Sequence, residues 1–151
     1  MSDKHENCWV VEGKLALPYQ YFAGAVGSKF LGALRDEQKI LGQCCPTCNK
    51  VYIPPRGSCE RCFADLSDAW VELGTTGVVT GFTVVHHQEP HYPLPSPYVL
   101  ALIKLDGADV PFAHLLGGIA PDQVKVGMKV KAVFAADRIG SLRDIAHFAP
   151  V

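Results

Sequence analysis

Residues 44–62 read CCPTCNKVYIPPRGSCERC and hold five of the chain's six cysteines within nineteen positions. Cys45 and Cys48 form one pair with two residues between them, Cys59 and Cys62 form a second, and ten residues separate the pairs. Each pair can turn back so that both sulfurs face one ion, and two such knuckles supply the four thiolates of a tetrahedral Zn²⁺ site. Such a site is coordinatively closed, whereas a catalytic zinc keeps a position for water or substrate, so the ligand count itself makes this a structural metal. Iron in a rubredoxin-like centre uses the same four thiolates, and the spacing leaves that alternative open. A thioredoxin-like redox pair fits less well, because Pro46 and the YIPPRGS spacer describe a ribbon with turns rather than the start of a helix. Cys44 reads as a flanking residue and Cys8 as a free thiol.

The rest of the chain divides on either side of this stretch, giving segments 1–42, 43–67 and 68–151. In the first, Phe22, Val26, Phe30 and Leu34 recur every four residues and predict one apolar stripe on a helix, a candidate surface for docking a partner. Gly24, Ser28 and Gly32 form a second, small-residue series that suggests close approach by another surface, while AGAVGS as a turn between two shorter helices is the competing reading. Lys29, Arg35 and Lys39 lie beside this helix and are candidate contacts for the phosphates of a ligand, with solvated surface cations as the plainer reading.

The third segment has the rhythm of strands. WVEL, GVVTGFTVVH, YVLALIKLD, VPFAHLLG, MKVKAVFA and DIAHFAPV are short, rich in Val, Ile, Phe and Thr, and separated by Gly, Pro and Asp. In MKVKAVF, Met128, Val130, Ala132 and Phe134 alternate with Lys129 and Lys131, which marks a strand with one buried face. Asp106-Gly107 signals a turn. Five or six such strands in about 80 residues predict a small closed barrel of the OB type. The expected fold is thus mainly β: an N-terminal helical segment, a rubredoxin-like zinc ribbon and a C-terminal OB-type barrel. His86, His87, Glu89 and His91 cluster in a proline-rich connection, read as a stiff loop over a partner or ligand rather than as a metal site.

Charge and hydropathy exclude several functions. A formal net charge of −1, from 14 basic and 15 acidic residues, leaves no excess to neutralise a phosphate backbone, so a single-stranded nucleic-acid binder built on the ribbon and barrel is the rival reading rather than the leading one. No apolar run reaches the roughly 20 residues of a membrane span, and MSDKHENCWVVEGKL lacks a signal-peptide layout, so a cytoplasmic location is expected.

The order LRDEQKILGQCC, CPTCNKVYIPPRGSCERC, WVELGTTGVVTGFTVV, YVLALIKLDGA and VGMKVKAVF resembles the family of zinc-ribbon and OB-fold proteins that accompany thiolases, from about Tyr21 to Val151. Gly81 departs slightly from the family's strand pattern. The resemblance implies that Cys45, Cys48, Cys59 and Cys62 carry zinc and that the chain is a non-catalytic subunit in a hetero-oligomer with a thiolase-superfamily enzyme, which supplies the catalytic residues. It implies further that the chain can help to form the CoA channel. The helical start and the HLLG strand are similar to small subunits of thiolases in anaerobic aromatic degradation, such as one cleaving benzoylsuccinyl-CoA.

Overall fold

The computed structural model describes residues 9, 11, 13, 15, 17, 19–88 and 94–151. A nine-residue helix, α1 (Gly24–Gly32), widens into one π-helical turn over Ala33–Glu37 and ends at Gln38 in the left-handed region. Three short strands follow, β1 (Ile40–Cys44), β2 (Val51–Tyr52) and β3 (Trp70–Leu73), in the antiparallel order β2-β1-β3. Five more strands close a barrel: β4 (Thr76–Val85), β5 (Tyr98–Leu105), β6 (Phe112–Leu116), β7 (Lys129–Phe134) and β8 (Ile145–Pro150), ordered β4-β5-β6-β8-β7. The β6–β8 contact is the parallel one. The expected class therefore holds: mainly β, with a short helix, a ribbon and an OB-type barrel.

Strand alternation builds the barrel. In β5, Val99, Ala101, Ile103 and Leu105 point inward and are buried, while Leu100, Leu102 and Lys104 face out. A bulge interrupts the β4–β5 register between Val79 and Gly81, which is where the sequence leaves its family pattern, and the Thr80 hydroxyl there donates to the Leu102 carbonyl at 3.0 Å. Gly77 faces Lys104 so closely that a Cβ would sit 2.5 Å from the Lys104 carbonyl oxygen, so only glycine lets β4 and β5 meet at this corner. The Trp70–Leu73 run, expected in the barrel segment, instead pairs with β1 from Ile40↔Leu73 to Gln43↔Trp70. Its neighbour in space is the ribbon's own stem.

One apolar core joins helix, stem and barrel. Phe30, Leu34, Ile40, Ile53 and Leu73 belong to the same cluster as Val79, Ile103, Phe112, Val130, Ile145 and Phe148. This corrects the docking stripe expected on the helix: Phe30 and Leu34 are buried against the chain's own barrel, Val26 is half-buried, and Phe22 precedes the helix and is exposed. The glycines of the small-residue series have no close neighbour within the chain itself. A Cβ added at Gly24 or Gly32 would meet nothing within 4 Å, and Gly24, with φ +76°, serves to start the helix rather than to admit a neighbour.

The helix is tied to the barrel by a second device. Arg138, in the β7–β8 connection, donates from Nε to the Arg35 carbonyl at 2.8 Å and from Nη1 to the Ala135 carbonyl at 2.9 Å. A cation on the last carbonyls of a helix is favoured by both hydrogen bonding and the macrodipole. Asp144, buried at the end of the same connection, shapes it by accepting from the Ile139 and Gly140 N–H groups at 3.0 and 2.8 Å.

Candidate metal centre

The ribbon is an excursion between β1 and β3, and its two knuckles are built alike. Cys45 N–H donates to the Lys50 carbonyl and Asn49 N–H to the Cys45 carbonyl; Cys59 N–H donates to Ala64 and Phe63 N–H to Cys59 in the same pattern. The residue after each pair, Asn49 or Phe63, takes a positive φ of 54° or 58°. Asparagine suits that conformation; an exposed phenylalanine does not, and there the knuckle overrides residue preference.

These turns bring four sulfurs together. The Sγ atoms of Cys45, Cys48, Cys59 and Cys62 lie within 4.8 Å of one another, with Cys45–Cys62 at 3.4 Å and Cys48–Cys59 at 3.5 Å. A tetrahedron with metal–sulfur bonds of about 2.3 Å has edges of about 3.8 Å, so the four thiols fit a single zinc ion with only small adjustment. All four are protein ligands, and the ion they hold has no position left for a substrate. Cys44 is outside this cluster, its sulfur 4.0 Å from the Cys45 carbonyl. Cys8 lies outside the described residues.

Thiols this close divide their protons unequally. The Tyr52 hydroxyl, 3.1 Å from Cys59 Sγ, and the N–H groups of Cys62 and Arg61 pull Cys59 down to about 5 against the opposing effect of burial. Cys48 receives the Lys50 N–H, which favours its thiolate, yet the adjacent Cys45 and Cys59 sulfurs and desolvation push it up to about 12. Cys59 thus gives up its proton more readily than Cys48, and a metal bound by all four would release the protons that the thiols still hold.

A residue with no sequence signal anchors the ribbon. Gln43 on β1 is fully buried; its amide nitrogen donates to the Leu66 carbonyl at 2.6 Å, and its amide oxygen accepts from Arg56 N–H at 2.6 Å. One side chain thus ties both ribbon loops to the stem. Asp109, from the β5–β6 connection, adds a link to the barrel: its carboxylate accepts from Val51 N–H at 2.8 Å, and its own N–H donates to the Val51 carbonyl at 3.0 Å.

Comparison with known proteins agrees with this architecture. Residues 33–67 match the domain described as the rubredoxin-like zinc ribbon of ChsH2, and residues 70–135 match its C-terminal OB-fold domain. A DUF35 domain-containing scaffold protein of Methanocaldococcus jannaschii is 31% identical over 104 residues, covering 67% of this chain and 71% of that protein. The chain belongs to the DUF35 family. A structure titled Ltp2-ChsH2(DUF35) aldolase is similar with a TM-score of 0.62 at 28% identity, over 82% of this chain and 93% of that one. A DUF35 protein of unknown function from Sulfolobus solfataricus gives a TM-score of 0.59 at 28% identity, over 73% and 78%. A probable enoyl-CoA hydratase alpha subunit of Thermomonospora curvata is 35% identical over 94 residues, which cover 62% of this chain and 28% of that protein.

Around this DUF35 core, the other candidate residues fall apart from one another. Lys29 Nζ rests 4.6 Å above the Trp70 ring, Arg35 pairs with Asp36 at 2.7 Å, and Lys39 pairs with Glu72 at 3.1 Å and Glu37 at 3.5 Å. Each has its own partner, and Trp70 and Glu72, which meet Lys29 and Lys39, lie on one face of β3. His86 and His87 are exposed, whereas Glu89 and His91 lie outside the described residues. Among the described residues, the four ribbon cysteines are the group placed to hold a metal. No helix among them is long and apolar enough to cross a membrane.

Proposed function

We propose that this DUF35 chain is a non-catalytic, zinc-stapled partner subunit of a thiolase-type enzyme that makes or breaks a carbon–carbon bond in an acyl-CoA. The observation that carries this reading is an apolar arm ahead of the helix: Trp9, Val11, Leu15, Leu17, Tyr19, Tyr21 and Phe22 are each at least 70% exposed. So much exposed apolar side chain among the described residues ahead of the helix supports a protein interaction surface there. With Phe30 and Leu34 turned into the core, the arm and Phe22 take over the docking role. The nature of the partner is supported by relatives named as scaffold proteins, by one found with an aldolase, and by one named as an enoyl-CoA hydratase subunit.

CoA is the ligand this assembly would share. Lys29, held over an aromatic ring rather than in an ion pair, is the best placed of the three cations to meet its phosphates. A cleft of about 450 Å³ at the barrel rim, lined by Leu116, Ile139, Arg143 and His147 among others, offers one wall for the remainder. The outer face of β4 to β6 presents Phe82, Leu100, Leu102 and Ala113. With 14 basic against 15 acidic residues the chain has no basic excess for a phosphate backbone, so nucleic acid is not favoured.

Co-expression with a thiolase-type enzyme tests the proposal, and one acting on benzoylsuccinyl-CoA or a similar aryl acyl-CoA is the first to try. A stable complex is expected, with no thiolase activity in this chain alone. Replacing Tyr19, Tyr21 and Phe22 by serine is expected to weaken the complex at least tenfold while zinc content and circular dichroism stay unchanged. Two monodisperse proteins that neither associate nor alter each other's activity would overturn it.

A further inference from the structure

We infer that Tyr52 controls how firmly the ribbon keeps its zinc, by donating its buried hydroxyl to the Cys59 sulfur. The inference is independent of any partner. Tyr52 is fully buried on β2, in the small cluster it forms with Cys45, Cys59 and Leu66, and its hydroxyl is 3.1 Å from Cys59 Sγ. A sulfur bound to a divalent ion has no proton to give, so the hydroxyl is the donor. Four thiolates on Zn²⁺ leave a net charge of −2, and Cys45 and Cys59 carry their share of it away from water.

The surroundings fix that hydroxyl in place. The Arg56 guanidinium lies 4.6 Å and the Lys50 ammonium 5.3 Å from the centre of the Tyr52 ring. Both cations pair with Glu60, at 2.9 and 2.7 Å, and Glu60 is the neighbour of Cys59. Lys50 follows the first knuckle and Glu60 lies within the second, so this charged bridge spans on the outside what the metal spans within. It also places two positive charges beside an anionic centre. Hydrogen-bonding neighbours of metal ligands typically alter metal affinity 10- to 100-fold when removed.

The test compares Tyr52→Phe with the wild-type zinc protein. The variant is expected to bind one zinc per chain and to release it to a chromogenic chelator about 10 to 100 times faster. In cobalt(II)-substituted protein its sulfur-to-metal charge-transfer band is expected to move to longer wavelength, a change that loosened packing alone would not produce. A release rate within twofold of wild type together with an unmoved band overturns the inference. Should the variant not fold, cadmium-113-loaded wild type decides: a Tyr52 hydroxyl proton coupled to the metal through Cys59 supports it, and a freely exchanging, uncoupled proton overturns it.

Discussion

His114 shows how one buried residue ties this fold to pH. On β6 its ring lies 5.3 Å from Phe112 and 5.5 Å from Phe148; Nε2 donates to the Leu142 carbonyl at 3.0 Å, and Nδ1 is buried with no partner among the described residues. Burial among these rings disfavours the imidazolium, so the folded protein holds His114 below its ordinary value. A depressed value in the folded state means that the unfolded chain takes up the proton first. The resulting stability is fully present above about pH 6.5 and is lost as pH falls through the folded value. The denaturation midpoint is therefore expected to drop between pH 7 and pH 5, and His114→Phe is expected to flatten that drop while lowering stability at pH 7 through loss of the Leu142 contact. An equal pH slope in the two proteins would assign the effect to other groups.

Among the elements, the ribbon and its stem reveal what a sequence can and cannot disclose. Two C-x-x-C pairs declare their chemistry because ligand geometry demands that spacing, and the alternation in MKVKAVF declares a half-buried strand because side chains alternate across a sheet. The stripe Phe22, Val26, Phe30 and Leu34 was equally visible, but periodicity reports that a face is apolar and not what covers it. Here the barrel covers the last two. Gln43 was illegible for a different reason. Nothing in GQCC distinguishes a polar residue on the surface from one that is buried and doubly hydrogen-bonded across 13 and 23 residues. Arg138 meets the Arg35 carbonyl from 103 residues away, a contact no local pattern encodes. Gln43→Ala strands the Arg56 N–H and leaves the Leu66 carbonyl with the Ala69 N–H alone, at 3.0 Å, and is expected to cost roughly 1 to 3 kcal/mol. Chemical denaturation of the zinc-loaded protein checks this; a loss below about 0.5 kcal/mol, under the low end of that range, would mean that water replaces the lost contacts.

Across the whole molecule, two clusters divide the stability. The larger joins helix, stem and barrel; the smaller, of Cys45, Tyr52, Cys59 and Leu66, has little apolar area and depends on its metal. Chelation is thus expected to release the ribbon while the barrel persists. Amide exchange would show Cys45, Cys59 and Leu66 losing protection, with Val79, Ala101, Ile103 and Val130 keeping theirs. Global loss of protection on chelation would show instead that the barrel cannot stand without the ribbon.

The ribbon's place in the chain extends this dependence beyond the metal. Because it is inserted between β1 and β3, both its ends leave from paired strands, and β1 follows shortly on the turn that ends the helix. A chain made without zinc would keep helix, stem and barrel in their shared core and loosen only the segment between two strand ends that stay anchored. The loosened segment would then be open to proteolysis in the middle of a chain whose fold survives, so metal supply would decide which copies stay intact.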